Sequence, residues 1–247
     1  MTFLRLVSER SDTPQMMRKI MSYFRTALYC SALALASACT TIAEAQNPPV
    51  LDWHQKVQDF AAEHCKHAAW GYSHSTRDYR LARELAESDH VHLDDDVLFA
   101  AAYLHDMGMF APWADRKRDH ADIAADTVPS ILKETGFPLE KIAKVQNAIR
   151  THMYDREPQG SEALYLHDAD ALDWLGAIGA ARILALIDTN GGKPQGPDVI
   201  PMVDSNLAEV PGRVLSPAGR GRVAERQAEL EQFLRALRTE TDNLRDF

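Results

Sequence analysis

Seven residues in this 247-residue chain have side chains and surroundings suited to holding a metal ion: His74, His105, Asp106, His120, His152, Asp168 and Asp170. Imidazole mixed with carboxylate suits Mn, Fe, Co, Ni or Zn, and fits neither calcium nor a closed structural zinc site. Each of the seven falls in or at the end of a segment with helical apolar spacing, and each segment supplies one or two of them. Helical proteins build hydrolytic and redox centres in this way, with donors from several helices converging on the bundle interior.

The adjacent pair His105-Asp106 constrains the backbone that carries it. Neighbours on a helix point about 100° apart, so both reach one point only where the helix ends and the chain turns. Residues 97–104 are continuously apolar and Met107-Gly108 follows the pair, which predicts a buried helix ending at His105 with a glycine just beyond its end. Asp94-Asp95-Asp96 in front of this run reads as a helix start; the offsets of a calcium loop are not met.

Helical periodicity continues through the remaining body. Trp53, Val57, Phe60 and Ala61 share one face, as do Leu81, Ala82, Leu85 and Ala86 in the next segment. Further helices are expected at 119–134, 139–152, 161–187 and 218–240, with the apolar face within 222–237 docking back on the bundle. Gly136-Phe137-Pro138 and Pro158-Gln159-Gly160 separate three of them, and the glycines and prolines between 189 and 217 predict a long loop. No segment alternates like a strand, so the class expected is all-α.

These segments resemble the HD-domain family of metal-dependent phosphohydrolases. His74-Ser75-Thr76-Arg77 followed by Leu81-Ala82 resembles the first ligand helix of that family, and Ala100 through Gly108 its signature His-Asp pair. Asp168-Ala169-Asp170-Ala171-Leu172-Asp173 with Gly176 through Arg182 is similar to its last ligand helix, and residues 221–226 resemble the C-terminal helix of one bacterial subgroup. The resemblance covers nearly the whole body and implies an HD-domain helical bundle over residues 53–240.

It further implies that His74, His105, Asp106 and Asp170 hold one divalent metal, with Asp168 as the fallback for Asp170. Two aspartates two residues apart on a helix do not readily face the same ion, so the second would act from outside the coordination shell. Some branches add two histidines between the signature pair and the last aspartate to hold a second metal, and His120 and His152 lie in that interval. The implied reaction is hydrolysis of a phosphate ester by a metal-activated water, with Asp106 orienting or deprotonating it. Arg116, Lys117 and Arg118, and then Arg77, are the expected phosphate contacts. Two alternatives stand beside this reading: an HD-type di-iron oxygenase, and a non-catalytic binding protein that keeps its metal.

Composition narrows the partners. With 27 basic and 36 acidic residues the net charge is −9, which argues against a nucleic-acid polymer and for a small phosphorylated molecule held in a local pocket. Three cysteines make no disulfide framework, and neither a phosphate-binding loop nor a dinucleotide fingerprint occurs. His54, His64, His67, His90, His92 and His167 are expected to be structural or solvated.

Residues 1–45 read as an export signal. Arg18, Lys19 and Arg25 precede an apolar stretch at 26–38, and Ala43-Glu44-Ala45 offers a cleavage pattern. Cleavage would leave 22 basic and 33 acidic residues, a net charge of −11, behind a short linker at 46–52. The expected destination is the periplasm, with no membrane span after processing; lipidation at Cys39, within Ala36-Ser37-Ala38-Cys39, is the alternative and would tether the protein to a membrane.

Overall fold

In the computed structural model the structure describes residues 52–247, so the expected export signal and nearly all of the linker lie outside the described residues. Nine α-helices make up this body: α1 (Trp53–His64), α2 (Tyr72–Ser88), α3 (Asp95–Leu104), α4 (His120–Thr135), α5 (Ile142–Thr151), α6 (Ser161–Asp173), α7 (Gly176–Leu184), α8 (Gly196–Arg213) and α9 (Pro217–Glu240). Single 3-10 turns at Met107–Met109 and Leu139–Lys141 complete the described residues, which contain no strand. No described helix is long and apolar enough to cross a membrane.

α3 is the axis of the bundle. All eight residues from Val97 to Leu104 are buried, the pattern of a helix surrounded by other helices and not of a surface helix with one apolar stripe. Ala100, Ala101 and Ala102 keep its girth small, so that α2, α5 and α6 pack closely around it. The ligand-bearing end of α3 is thereby fixed at the centre of the molecule.

The other end is tied by charge. Lys141 Nζ lies 2.7 Å from both Asp94 and Asp96, and Glu162 accepts the Asp94 N–H at 2.8 Å. Partial burial opposes ionisation of Asp94, yet the Lys141 ammonium outweighs it and holds this carboxyl below its ordinary range. A depressed folded-state value stabilises the fold above the unfolded carboxylate pKa and is lost as pH falls through the depressed value. Lys141→Met is therefore expected to lower Tm slightly at pH 7. Its deficit in Tm should close as the pH is lowered towards 2; a gap that stays constant from pH 7 to 2 would refute the assignment.

Two expectations need correction. The predicted loop at 189–217 contains the 18-residue helix α8. Val199, Ile200, Val203 and Val210 are buried along it, Pro197 sits in its first turn where no N–H is needed, and Asp198 accepts the Gln195 N–H at 2.7 Å. Apolar burial on one face outweighs the cost of Pro201 and Pro211. The single helix expected at 161–187 is instead two, α6 and α7, broken at Trp174-Leu175. Gly176 adopts φ +69° there, and a Cβ on Gly179 would lie 2.3 Å from the Trp174 carbonyl oxygen, so the bend depends on both glycines.

Candidate metal centre

Five helices bring their side chains to one place. α2 supplies His74 and, one turn on, Asp78; the end of α3 supplies His105 and Asp106; α4 begins with His120; His152 follows the last residue of α5; α6 contributes Asp170 and Asp173. The turn after α3 redirects the chain as the His-Asp pair requires, with Asp106 at φ −93°, ψ 0°. Gly108 serves through close approach: a Cβ there would lie 2.2 Å from the His120 carbonyl oxygen. Only glycine lets this turn press against the start of α4 and carry His120 to Asp106.

The donor atoms face one another. His74 Nε2 lies 3.1 Å from Asp78 Oδ2, 3.3 Å from Asp170 Oδ1 and 3.5 Å from Asp106 Oδ2. His105 Nε2 lies 3.4 Å from Asp106 Oδ2 and 3.8 Å from Asp78 Oδ2. Donors bound about 2.1 Å from a common ion stand roughly 3–4 Å apart, so these spacings fit one divalent cation. Ligand atoms of His74, Asp78, His105 and Asp170 form one group within 4.8 Å of each other, and those of His105, Asp106 and His152 form another. His105 is common to both, and His120 Nε2 reaches the second through Asp106 Oδ1 at 3.2 Å.

The far side of each imidazole is committed elsewhere. His74 Nδ1 donates to Asp173 at 2.9 Å, His105 Nδ1 to the Ala102 carbonyl at 2.8 Å, and His152 Nδ1 to the Ile149 carbonyl at 2.5 Å. This is the arrangement by which proteins orient ligand histidines and turn Nε2 towards the ion; Arg182 Nη2 lies 3.4 Å from His74 Nε2. His105 Nε2, His152 Nε2 and both oxygens of Asp78 are buried without a hydrogen-bond partner. Buried polar atoms are rarely left so, and their clustering fits a divalent metal as the partner they share.

Electrostatics agree. Burial alone would lower His74 and His105, but the carboxylates around them prevail: Asp78, Asp170 and Asp173 carry His74 up to about 10, and Asp106 carries His105 up to about 9. Burial raises Asp78 to about 7 against the opposing pull of His74. Asp106 and Asp170 are driven well down despite burial, by His105 and His74 respectively before other neighbours. His152, buried beside His105, falls to about 4. A proton on His74 or a cation at its Nε2 answers the same demand for positive charge, and binding the cation releases the proton.

Other sequence candidates lie elsewhere. Asp168 is fully buried two residues before Asp170, but its carboxylate accepts the N–H groups of Leu215 and Ser216 at 2.9 and 2.6 Å and faces the segment before α9. Arg77 is committed to Asp173 through Nε and Nη2, at 2.9 and 2.8 Å, and so braces the aspartate that orients His74. Arg116, Lys117 and Arg118 are exposed on the connection before α4, with Arg118 paired to Asp126 at 2.6 Å. His167 meets the carbonyls of His152 and Arg213 and ties α6 to both.

Four participants were not among the sequence candidates. Asp78 and Asp173 had a readable signal, lying at i+4 from His74 and i+3 from Asp170 on the same helical faces. Tyr154, whose hydroxyl donates to Asp170 at 3.1 Å, had none. Nor had Arg182, buried on α7, which stacks on Trp174 at 3.7 Å, donates to the Ala69 carbonyl and lies 3.1 Å from Asp173.

Comparison with known proteins gives a consistent picture. The HD domain family model matches residues 71–175. A predicted HD superfamily hydrolase from an uncultured Thermotogales bacterium is 24% identical with a TM-score of 0.53, over 75% of this chain and 91% of that one. Bacillus subtilis YpgQ is 21% identical with a TM-score of 0.58, over 76% and 95%. An HD-superfamily hydrolase from Bacillus thuringiensis is 20% identical with a TM-score of 0.54, over 77% and 95%. At these identities the likeness is one of fold. No curated protein matches the chain.

Proposed function

We propose that this chain, an HD-domain protein by its residues 71–175, hydrolyses a phosphate ester of a small molecule using a divalent metal held by His74, His105, Asp106 and Asp170. The observation that carries the reading is the convergence of two imidazole Nε2 atoms with the Asp106 and Asp170 carboxylates at 3.3–3.5 Å. A divalent cation bound there lowers the pKa of its water and polarises a phosphoryl oxygen.

The protein's own groups provide the rest. Asp173 and the Ala102 carbonyl fix the tautomers and ring planes of His74 and His105, while Tyr154 holds Asp170. Asp106 and Asp170 are the two exposed members of the four, at 12% and 11% against 0% for both histidines, and Asp106 is the one this reading assigns to orient or deprotonate an attacking water. His120, partly exposed and 3.2 Å from the other oxygen of Asp106, is placed to hold that carboxylate in orientation or to pass the proton on.

One fold relative, YpgQ of Bacillus subtilis, was solved in complex with ADP, and a nucleotide is the kind of phosphorylated small molecule this reading calls for. Export by residues 1–45 would make the substrate an extracytoplasmic nucleotide or phosphoester. The second ligand group, His105 with Asp106 and His152, favours one competing reading, a two-iron oxygenase.

Metal analysis of the purified protein, followed by phosphate release from a panel of nucleotides, phosphomonoesters and phosphodiesters, tests the proposal. Turnover that needs the metal is expected. Iron-dependent oxygen uptake without phosphate release would replace it with the oxygenase, and a metal-loaded protein with neither activity would mark a binding protein.

A further inference from the structure

Asp78 is an acidic residue in the middle of a helical core, and the only charged partners within reach of it there are two imidazoles. It is fully buried, and neither carboxylate oxygen has a hydrogen-bond partner. The buried arginine of the region, Arg182, lies against Asp173, Ala69 and Trp174 and 3.4 Å from His74 Nε2, with its Nη1 left without a hydrogen-bond partner, and it makes no ion pair with Asp78. The nearest donor atoms to Asp78 are His74 Nε2 at 3.1 Å and His105 Nε2 at 3.8 Å. These are the two nitrogens that the metal reading above assigns to the ion.

That coincidence decides the role of the side chain. His74 Nδ1 is already held by Asp173, so Asp78 is not needed to orient the ring. Once Nε2 binds an ion it has no proton to offer, and Asp78 loses the neighbour it has. A buried carboxylate facing neither a donor nor a cation is among the least favourable arrangements a core can hold. Spacing one helical turn from His74 aims both side chains at the same point, and Asp78 Oδ2 lies in the 3–4 Å range that donors to one ion share.

Resting on the metal reading above, we propose that Asp78 is a fifth protein ligand, and that this carboxylate-rich set selects a six-coordinate Mn or Fe ion over Zn. Catalytic zinc keeps three protein ligands beside its water. His74, Asp78, His105 and Asp170 alone place four donor atoms within 4.8 Å of one another, which already exceeds that number before Asp106 is counted. Because intrinsic affinity runs in favour of zinc over manganese, selectivity must come from donor number and type, which is what Asp78 supplies.

The test is metal binding by the full chain, read by chelator competition and calorimetry for wild type, Asp78→Asn and His105→Ala. Outer-sphere partners of a ligand already cost roughly 10–100-fold in affinity, so Asp78→Asn should weaken manganese by no less than that. Zinc should weaken less, narrowing the ratio between the two metals. Wild-type manganese affinity in Asp78→Asn beside its loss in His105→Ala overturns the role of Asp78 and leaves the centre standing. That is the result expected if Asp78 is simply protonated. Unchanged binding in both variants overturns the centre as well. The visible spectrum of the cobalt-loaded wild type needs no variant: weak bands of a five- or six-coordinate ion are expected, and the strong absorption of a tetrahedral ion contradicts the proposal.

Discussion

His105→Ala is expected to strip the divalent metal from the protein and to lower kcat/KM for the proposed phosphate-ester hydrolysis by at least about 10³-fold, the cost of losing one transition-state donor being about 10²–10³ before loss of the ion is counted. The position is singular because His105 belongs to both groups of ligand atoms, the one with His74, Asp78 and Asp170 and the one with Asp106 and His152. Its Nε2 is fully buried with no hydrogen-bond partner, and its Nδ1 is fixed on Ala102 at the end of α3. No neighbouring side chain can take its place. His105→Gln keeps most of the volume, so a loss of metal shared by both variants separates ligation from packing. Metal content by mass spectrometry after dialysis, with far-UV circular dichroism as the control on folding, gives the answer. A folded variant that retains wild-type metal would sink the assignment.

How far the sequence leads to this site depends on the kind of interaction that places each residue. Residues 97–104 announce a buried helix by being apolar on every side, and Met107-Gly108 announces its end, so the location of His105 and Asp106 follows from local pattern alone. His120 and His152 are legible for the same reason, one at the start of a helix and one at the end of another, whereas His74 is picked out by the resemblance of residues 74–82 to a ligand helix. Gly108 marks the turn in the sequence, but its contact with His120 is a tertiary matter that no local pattern records. Prolines obscured α8, where the burial of Val199, Ile200, Val203 and Val210 against other helices outweighs local propensity. Arg182 reaches His74 across 108 positions of sequence and Tyr154 reaches Asp170 across 16, and periodicity within a segment carries no trace of such contacts.

The basic residues show the same limit from the other side. Residue type and position near the signature pair favoured Arg116, Lys117 and Arg118 as phosphate contacts, but their directions are set by where α4 begins and by Asp126. Arg77 lies on the ligand helix itself, yet Asp173 claims its guanidinium. Charge is legible in a sequence; what a charge faces is settled by the neighbours it meets after folding.

Asp168 and Asp170 looked nearly interchangeable in the sequence, and a stability measurement should separate them. Asp168→Ala is expected to destabilise the fold by about 3–5 kcal/mol, because two short hydrogen bonds to a charged acceptor are lost and buried N–H groups are left unsatisfied. Those donors are the backbone amides of Leu215 and Ser216, at 2.9 and 2.6 Å, and Ser216 in turn caps α9 by accepting the Gly219 N–H at 3.0 Å. A Cβ on Gly219 would lie 2.7 Å from Asp168 Oδ2, so α9 starts hard against this carboxylate. Asp168→Asn should be little better, since an amide nitrogen offers a donor where an acceptor is required. For a body of this size the loss corresponds to a fall in Tm of roughly 6–20 °C. Asp170→Asn, by contrast, should impair metal binding and leave Tm in the presence of a chelator nearer to wild type. Equal metal loss in both, with no difference in chelated Tm, would return Asp168 to the ligand set.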